Sequence, residues 1–194
     1  MKKINEQLFK AVELNKIEEV KKLIEKGADV NAVDKNGITA LQRASSWGRS
    51  DVVKMLIEAG ADVNVVDRGG ETALQRASRW GHSEIVKMLI GAGADVNVVD
   101  GWGTTALYVA SFWGCSDVVK MLIEAGADLN AVDKYGRTAL YWASQEGYSE
   151  IVKMLIEAGA NVNVVDGWGD TALYRASQEG YSEIVKILKE AGAK

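Results

Sequence analysis

Residues 34–66 read DKNGITALQRASSWGRSDVVKMLIEAGADVNVV, and the 33 residues that follow, from Asp67, read DRGGETALQRASRWGHSEIVKMLIGAGADVNVV. The same line returns from Asp100, Asp133 and Asp166, each 33 residues after the last. Self-similarity at this period is the signature of a repeat array and overrides an ordinary domain reading. Working outward, residues 1–33 form a divergent leading unit that keeps the tail Gly27-Ala28-Asp29-Val30-Asn31, and residues 166–194 form a shortened last one. Atypical ends are expected of an array, whose terminal units turn one side to water. The array reads as one domain, 1–194: an N-terminal cap at 1–33, internal repeats at 34–66, 67–99, 100–132 and 133–165, and a C-terminal cap repeat at 166–194.

Each unit reads as two helices. Thr39-Ala40-Leu41-Gln42 and Thr72-Ala73-Leu74-Gln75 have capping-box spacing, with Thr capping and Gln reaching back. Gly48, Gly81, Gly114, Gly147 and Gly180 fall where a left-handed residue ends the first helix, and Gly60, Gly93, Gly126 and Gly159 where one ends the second. Ser50, Ser83, Ser116, Ser149 and Ser182, each followed by Asp or Glu, suit the N-cap of the second helix. The Asp-x-x-Gly segment between units has turn composition.

These residues resemble the ankyrin repeat family. The 33-residue period, the G-x-T-x-L-x-x-A segment, the V/I-V-x-x-L-I core and the G-A-D-V-N tail carry the resemblance over essentially the whole chain. It implies an all-α solenoid of helix–turn–helix repeats with β-turn connections, and a role in binding proteins. The near-identity of the units also resembles designed ankyrin repeat proteins used as selected binders. Two departures stand out. The family's proline after the threonine is alanine here (Ala40, Ala73, Ala106, Ala139, Ala172), and its histidine is Gln42, Gln75, Tyr108, Tyr141 or Tyr174. The threonine–histidine bond network of the family is therefore expected to be missing.

Numbering each unit from its Asp, the first helix holds positions 8, 11, 12 and 15 constant as Leu, Ala, Ser and Gly, one face of a helix. Variation is concentrated at positions 2, 3, 5, 9, 10, 13, 14 and 16, and the helical ones among these are expected on the opposite face. All six tryptophans and all six tyrosines lie in these columns. Trp, Tyr and Arg are the residue types enriched at interface hot spots. The candidate partner-binding residues are therefore Arg43, Trp47, Arg76, Arg79, Trp80, Trp102, Phe112, Trp113, Tyr135, Arg137, Trp142, Glu146, Trp168 and Asp170, with Lys35, Arg68, Tyr108, Tyr141 and Tyr174 as a secondary set. At position 9 the tyrosines fit either core packing between units or contact with a partner. The varied residues of 34–99 are mainly basic and those after 100 mainly aromatic, so the expected partner is a folded protein with an acidic patch beside an apolar one. The reading is of an engineered or selected binder, with a natural adaptor or a targetless structural module as alternatives.

Other functions find little in the sequence. A composition 47% hydrophobic and 26% charged argues against disorder, and a net charge of −4 against a general nucleic-acid binder. Gly101-Trp102-Gly103 and Gly167-Trp168-Gly169 lack the spacing and preceding strand of a phosphate loop. His82 is the one histidine and Cys115 the one cysteine, so no metal, cofactor or nucleophile–base arrangement is expected and the chain reads as a non-enzyme. Cys115 reads as an incidental residue, or as an exposed thiol open to slow dimerisation. With neither a signal peptide nor a membrane span in the sequence, a monomer in the cytoplasm, or a recombinant product, is expected.

Overall fold

The computed structural model describes residues 2–194. Among them are twelve α-helices and no strands, apart from an isolated antiparallel bridge between Val33 and Thr39. The chain forms two compact units, Met1–Asp95 and Val96–Lys194. Their boundary falls in the tail of the repeat at 67–99.

The first unit holds α1 (Lys3–Glu13), α2 (Ile17–Glu25), α3 (Ala40–Ser46), α4 (Ser50–Glu58), α5 (Ala73–Arg79) and α6 (Ser83–Gly91). Each odd-numbered helix pairs with the helix after it, and α1, α3 and α5 stack in one layer with α2, α4 and α6 in another. Leu41, Leu56, Leu74, Ile85 and Leu89 are fully buried, as are Ala44 and Ala77, whose small side chains let the helices approach closely. The second unit repeats this plan with α7 (Ala106–Phe112), α8 (Ser116–Glu124), α9 (Ala139–Gln145), α10 (Ser149–Glu157), α11 (Ala172–Gln178) and α12 (Ser182–Glu190). Leu107, Leu122, Leu140, Ile151, Leu155 and Ile184 fill its core. The sequence reading of an all-α repeat fold holds.

Local signals explain the helix ends, with one correction. The capping boxes form: Thr39 Oγ1 accepts from the Gln42 amide at 3.1 Å, and Gln42 Oε1 accepts from the Thr39 amide at 2.7 Å. Thr72 and Gln75 repeat them, while Thr105, Thr138 and Thr171 cap helices whose third residue is tyrosine and has no amide to return the bond. The serines do not cap the second helices. The cap positions belong to Arg49, His82, Cys115, Tyr148 and Tyr181, none of which makes a side-chain cap bond. The reason is a tight turn: the amides of Ser83, Ser116, Ser149 and Ser182 bond back to the glycine carbonyl two residues earlier at 2.9–3.1 Å, which makes serine the first helical residue. Asp51 and its counterparts still lie in the first turn, where a carboxylate suits the helix dipole.

Candidate functional site

The varied columns start at the turns. Asp34 Oδ1 accepts from the Asn36 and Ile38 amides at 2.7 and 3.0 Å, and Gly37 adopts φ 79° and donates to the Asp34 carbonyl. Asp133 and Asp166 order their turns in the same way. The Arg68 amide donates to the Asn36 carbonyl, the Lys134 amide to the Trp102 carbonyl and the Gly167 amide to the Tyr135 carbonyl, so these neighbouring turns are tied together. Position 3 is thereby displayed on a braced platform. Trp102, Tyr135 and Trp168 stand there 58%, 39% and 69% exposed.

Position 14 is the second exposed aromatic column. Trp47, Trp80 and Trp113 end their helices 44%, 60% and 52% exposed, and Glu146 takes the same place exposed. In the first unit the rims of Trp47 and Trp80 flank a groove of about 700 Å³ lined by Ile38, Arg43, Ser46, Arg76, Arg79 and His82. In the second unit Phe112 meets Trp113 edge-on at 5.1 Å and Trp142 at 4.8 Å, and the Arg137 guanidinium lies 4.6 Å from the Trp142 ring. Phe112 and Trp142 are half-buried in that cluster.

Two columns do not lie on the open face. Gln42 and Gln75 are fully buried, and Gln42 Nε2 donates to the Val65 carbonyl at the end of its own repeat at 2.9 Å and to the Glu71 carbonyl of the next at 2.8 Å. Tyr108 and Tyr141 are buried too, and their hydroxyls donate to Asp133 and Asp166 of the next repeat at 2.7 and 3.0 Å. Position 9 therefore does inter-repeat work in the place of the family's histidine, and a bond network expected to be missing is rebuilt through other residues. Tyr174 is 46% exposed. Burial and the bond to Asp133 push the Tyr108 phenol up, and Tyr141 rises to about 12 for the same two reasons, burial first. Asp133 is held below the usual carboxylate range. Its burial opposes this and is outweighed by bonds from Arg137, Tyr108 and the turn amides.

Position 16 also packs between repeats, half-buried at His82, Cys115 and Tyr148 and exposed at Tyr181. A Cβ added at Gly48 would lie 2.7 Å from the His82 ring, at Gly114 2.7 Å from Tyr148, and at Gly147 2.8 Å from Tyr181. The ring of each repeat covers the glycine of the one before. His82 Nε2 also sits 3.3 Å from the Ser46 carbonyl, so packing accounts for its place. Cys115 is the N-cap residue of α8, and burial pushes its thiol up, away from the range of a reactive thiolate.

Five of the arginines are paired within the chain. Arg43 bonds Asp34 at 2.6 Å and also Glu13, Arg76 bonds Asp67 and Glu71, and Arg79 reaches Glu71 at 2.6 Å. Arg137 pairs with Asp133 at 2.6 Å and Arg175 with Asp170 at 2.7 Å, which ties Asp170 down as well. The sequence reading of 34–99 as mainly basic missed Glu13, Asp34 and Asp67, the carboxylates these arginines hold. A signal was present, since Asp34–Arg43 and Asp67–Arg76 share a nine-residue spacing. Lys35 and Arg68 stand exposed on their turns.

Among the described residues no three His, Cys, Asp or Glu side chains are grouped to hold a metal ion, and no helix is long and apolar enough to cross a membrane. Paired helices joined by braced turns, with inter-repeat bonds at fixed columns, define the class as a helical repeat protein. The family model described as ankyrin repeats (3 copies) matches residues 8–100, 65–133, 83–166 and 132–194, and the chain belongs to the ankyrin repeat family. No curated protein matches it. Ankyrin repeats are in general modules of protein–protein binding.

Proposed function

We propose that the chain binds a folded protein partner through its position-3 and position-14 aromatic columns. One observation carries the reading: six of its large aromatic side chains, Trp47, Trp80, Trp102, Trp113, Tyr135 and Trp168, stand in water, and within each unit neighbouring turns are bonded to one another. Exposing such groups forgoes roughly 1.5–3 kcal/mol of burial each, which a partner would recover. Rigid rings also lose little entropy on binding. Arg43, Arg76, Arg79, Arg137, Phe112 and Trp142 border these columns as half-buried walls, and Glu146 and Asp170 as polar rim. Tyr108 and Tyr141 drop out of the surface because they are buried.

An acidic patch on the partner finds less support than the sequence alone offered, because the arginines already hold carboxylates. That element rests on Lys35 and Arg68. Charge reversal at both would weaken binding and reduce its salt dependence if the partner has such a patch.

On origin, the near-constant second helix favours a selected binder. Variation at column 9, buried at Gln42, Gln75, Tyr108 and Tyr141, favours a natural adaptor, since selection for a target acts on solvent-facing columns. Occurrence of this sequence in a genome would decide for the adaptor. The binding reading is tested by affinity capture with the wild-type chain and with Trp47→Ala/Trp80→Ala/Trp113→Ala. Loss of a specific partner in the variant supports it, and equal capture by both contradicts it.

A further inference from the structure

The turn tips of the second unit carry a chemistry of their own. The Lys134 ammonium lies 3.1 Å from the centre of the Trp102 ring and 4.9 Å from that of Tyr135. The Tyr135 ring stacks on Trp168 at 5.8 Å with an interplanar angle of 30°, and Arg137 covers Tyr135 at 4.5 Å. These side chains make one continuous belt. Arg137 is paired with Asp133, whereas among the described residues no carboxylate lies within ion-pair distance of Lys134. The belt thus presents ring faces and one cation compensated only by rings.

The backbone beneath has no free amide to offer. All four amides of Lys134–Arg137 are donated, to the Trp102 carbonyl and to Asp133, and all four of Gly167–Asp170 to the Tyr135 carbonyl and to Asp166. A partner strand finds no edge to extend here. Recognition must run through side-chain donors, the Trp102 and Trp168 indole N–H groups and Lys134, acting on acceptors of the ligand. A polyproline II segment has this complement: its rings pack on aromatic faces and its carbonyls are all free. Cations already over Trp102 and Tyr135 disfavour a basic segment and favour one that brings a carboxylate to Lys134.

We propose that the belt of Trp102, Lys134, Tyr135 and Trp168 docks an extended, proline-rich, acidic segment of a partner protein. This deepens the reading of position 3 as a recognition column and rests on it. The probe is a twelve-residue peptide of alternating Glu and Pro carrying a fluorophore, with a Lys-Pro peptide of equal length as the control. Fluorescence anisotropy with the full chain is expected to show binding of the Glu-Pro peptide that weakens with added salt, and affinity at least tenfold lower for the Lys-Pro peptide. Trp168→Ala and Lys134→Glu are each expected to lower the affinity about tenfold or more. Trp168 is exposed and Lys134 touches only rings, and a thermal melt of each variant establishes that the fold is kept. Failure of the Glu-Pro peptide to bind, equal binding of the Lys-Pro peptide, or indifference to both variants overturns the proposal. Such a failure leaves the capture experiment with the Trp47, Trp80 and Trp113 variant untouched, so the two readings fall separately.

Discussion

The Tyr141 hydroxyl donates to Asp166 Oδ2 across 3.0 Å, joining the first helix of one repeat to the turn of the next. Burial, and then this bond, raise the phenol from its ordinary value near 10 to about 12. A group whose proton is held more tightly in the folded chain contributes stability that is fully present below its unfolded value and is lost as pH rises through the folded one. The urea midpoint of the wild-type chain is therefore expected to fall between about pH 10 and 12, where Tyr108, shifted the same way, adds to the decline. Tyr108→Phe/Tyr141→Phe should lose about 1 kcal/mol per bond at pH 7 and show a flatter alkaline limb. A wild-type midpoint constant from pH 9 to 12 would remove the link between these bonds and stability.

Gly114 and Gly180 hold the same position two units apart, with φ of 71° and 78°. An added methyl at Gly114 meets the Tyr148 ring at 2.7 Å, whereas at Gly180 nothing lies within 4 Å. Both alanine variants carry the left-handed backbone penalty of about 1 kcal/mol. Gly114→Ala also has to displace a packed ring, at a further cost of about 1–3 kcal/mol. Equal losses in chemical denaturation would show that the ring does not bear on the glycine.

These two columns also show how far the sequence carried. The period, the glycine stops, the capping boxes and the constant Leu, Ala, Val and Ile positions predicted the helix pairs, because each is a local signal. Position 9 was left open between packing and binding, and position 16 was assigned to the varied outer face. Both pack between repeats. Periodicity along a helix separates the side that faces its own partner helix from the opposite side. It says nothing of the flanks, which a repeat stack also covers. Column 16 is half-covered by that stacking, its rings at His82, Tyr148 and Tyr181 lying over glycines 34 residues earlier. The arginine pairs were missed for a related reason: Arg43 meets Asp34 because the turn folds back over the helix, a relation that no helical period contains.

Position 12 offers a prediction of opposite sign. Ser45, Ser78, Ser111 and Ser144 are fully buried, and their hydroxyls have no hydrogen-bond partner. A buried, unpartnered hydroxyl costs about 1–3 kcal/mol, and alanine is the better helix former. Ser144→Ala is expected to raise stability by about 1 kcal/mol in urea denaturation, with the Ser111→Ala gain adding to it. A loss of stability in either variant would mean that the hydroxyl has a bonding role in the fold.

The central claim is that recognition belongs to the exposed columns while the buried ones hold the repeats together. It is tested most directly by calorimetric titration of a captured partner against three chains: wild type, Trp47→Ala/Trp80→Ala, and Tyr108→Phe/Tyr141→Phe. Affinity about a hundredfold lower for the tryptophan variant, about 2.7 kcal/mol, is expected. The tyrosine variant should bind within about threefold of wild type while melting at a lower temperature. The reverse pattern, with binding lost through the buried tyrosines and kept without the tryptophans, would contradict the account.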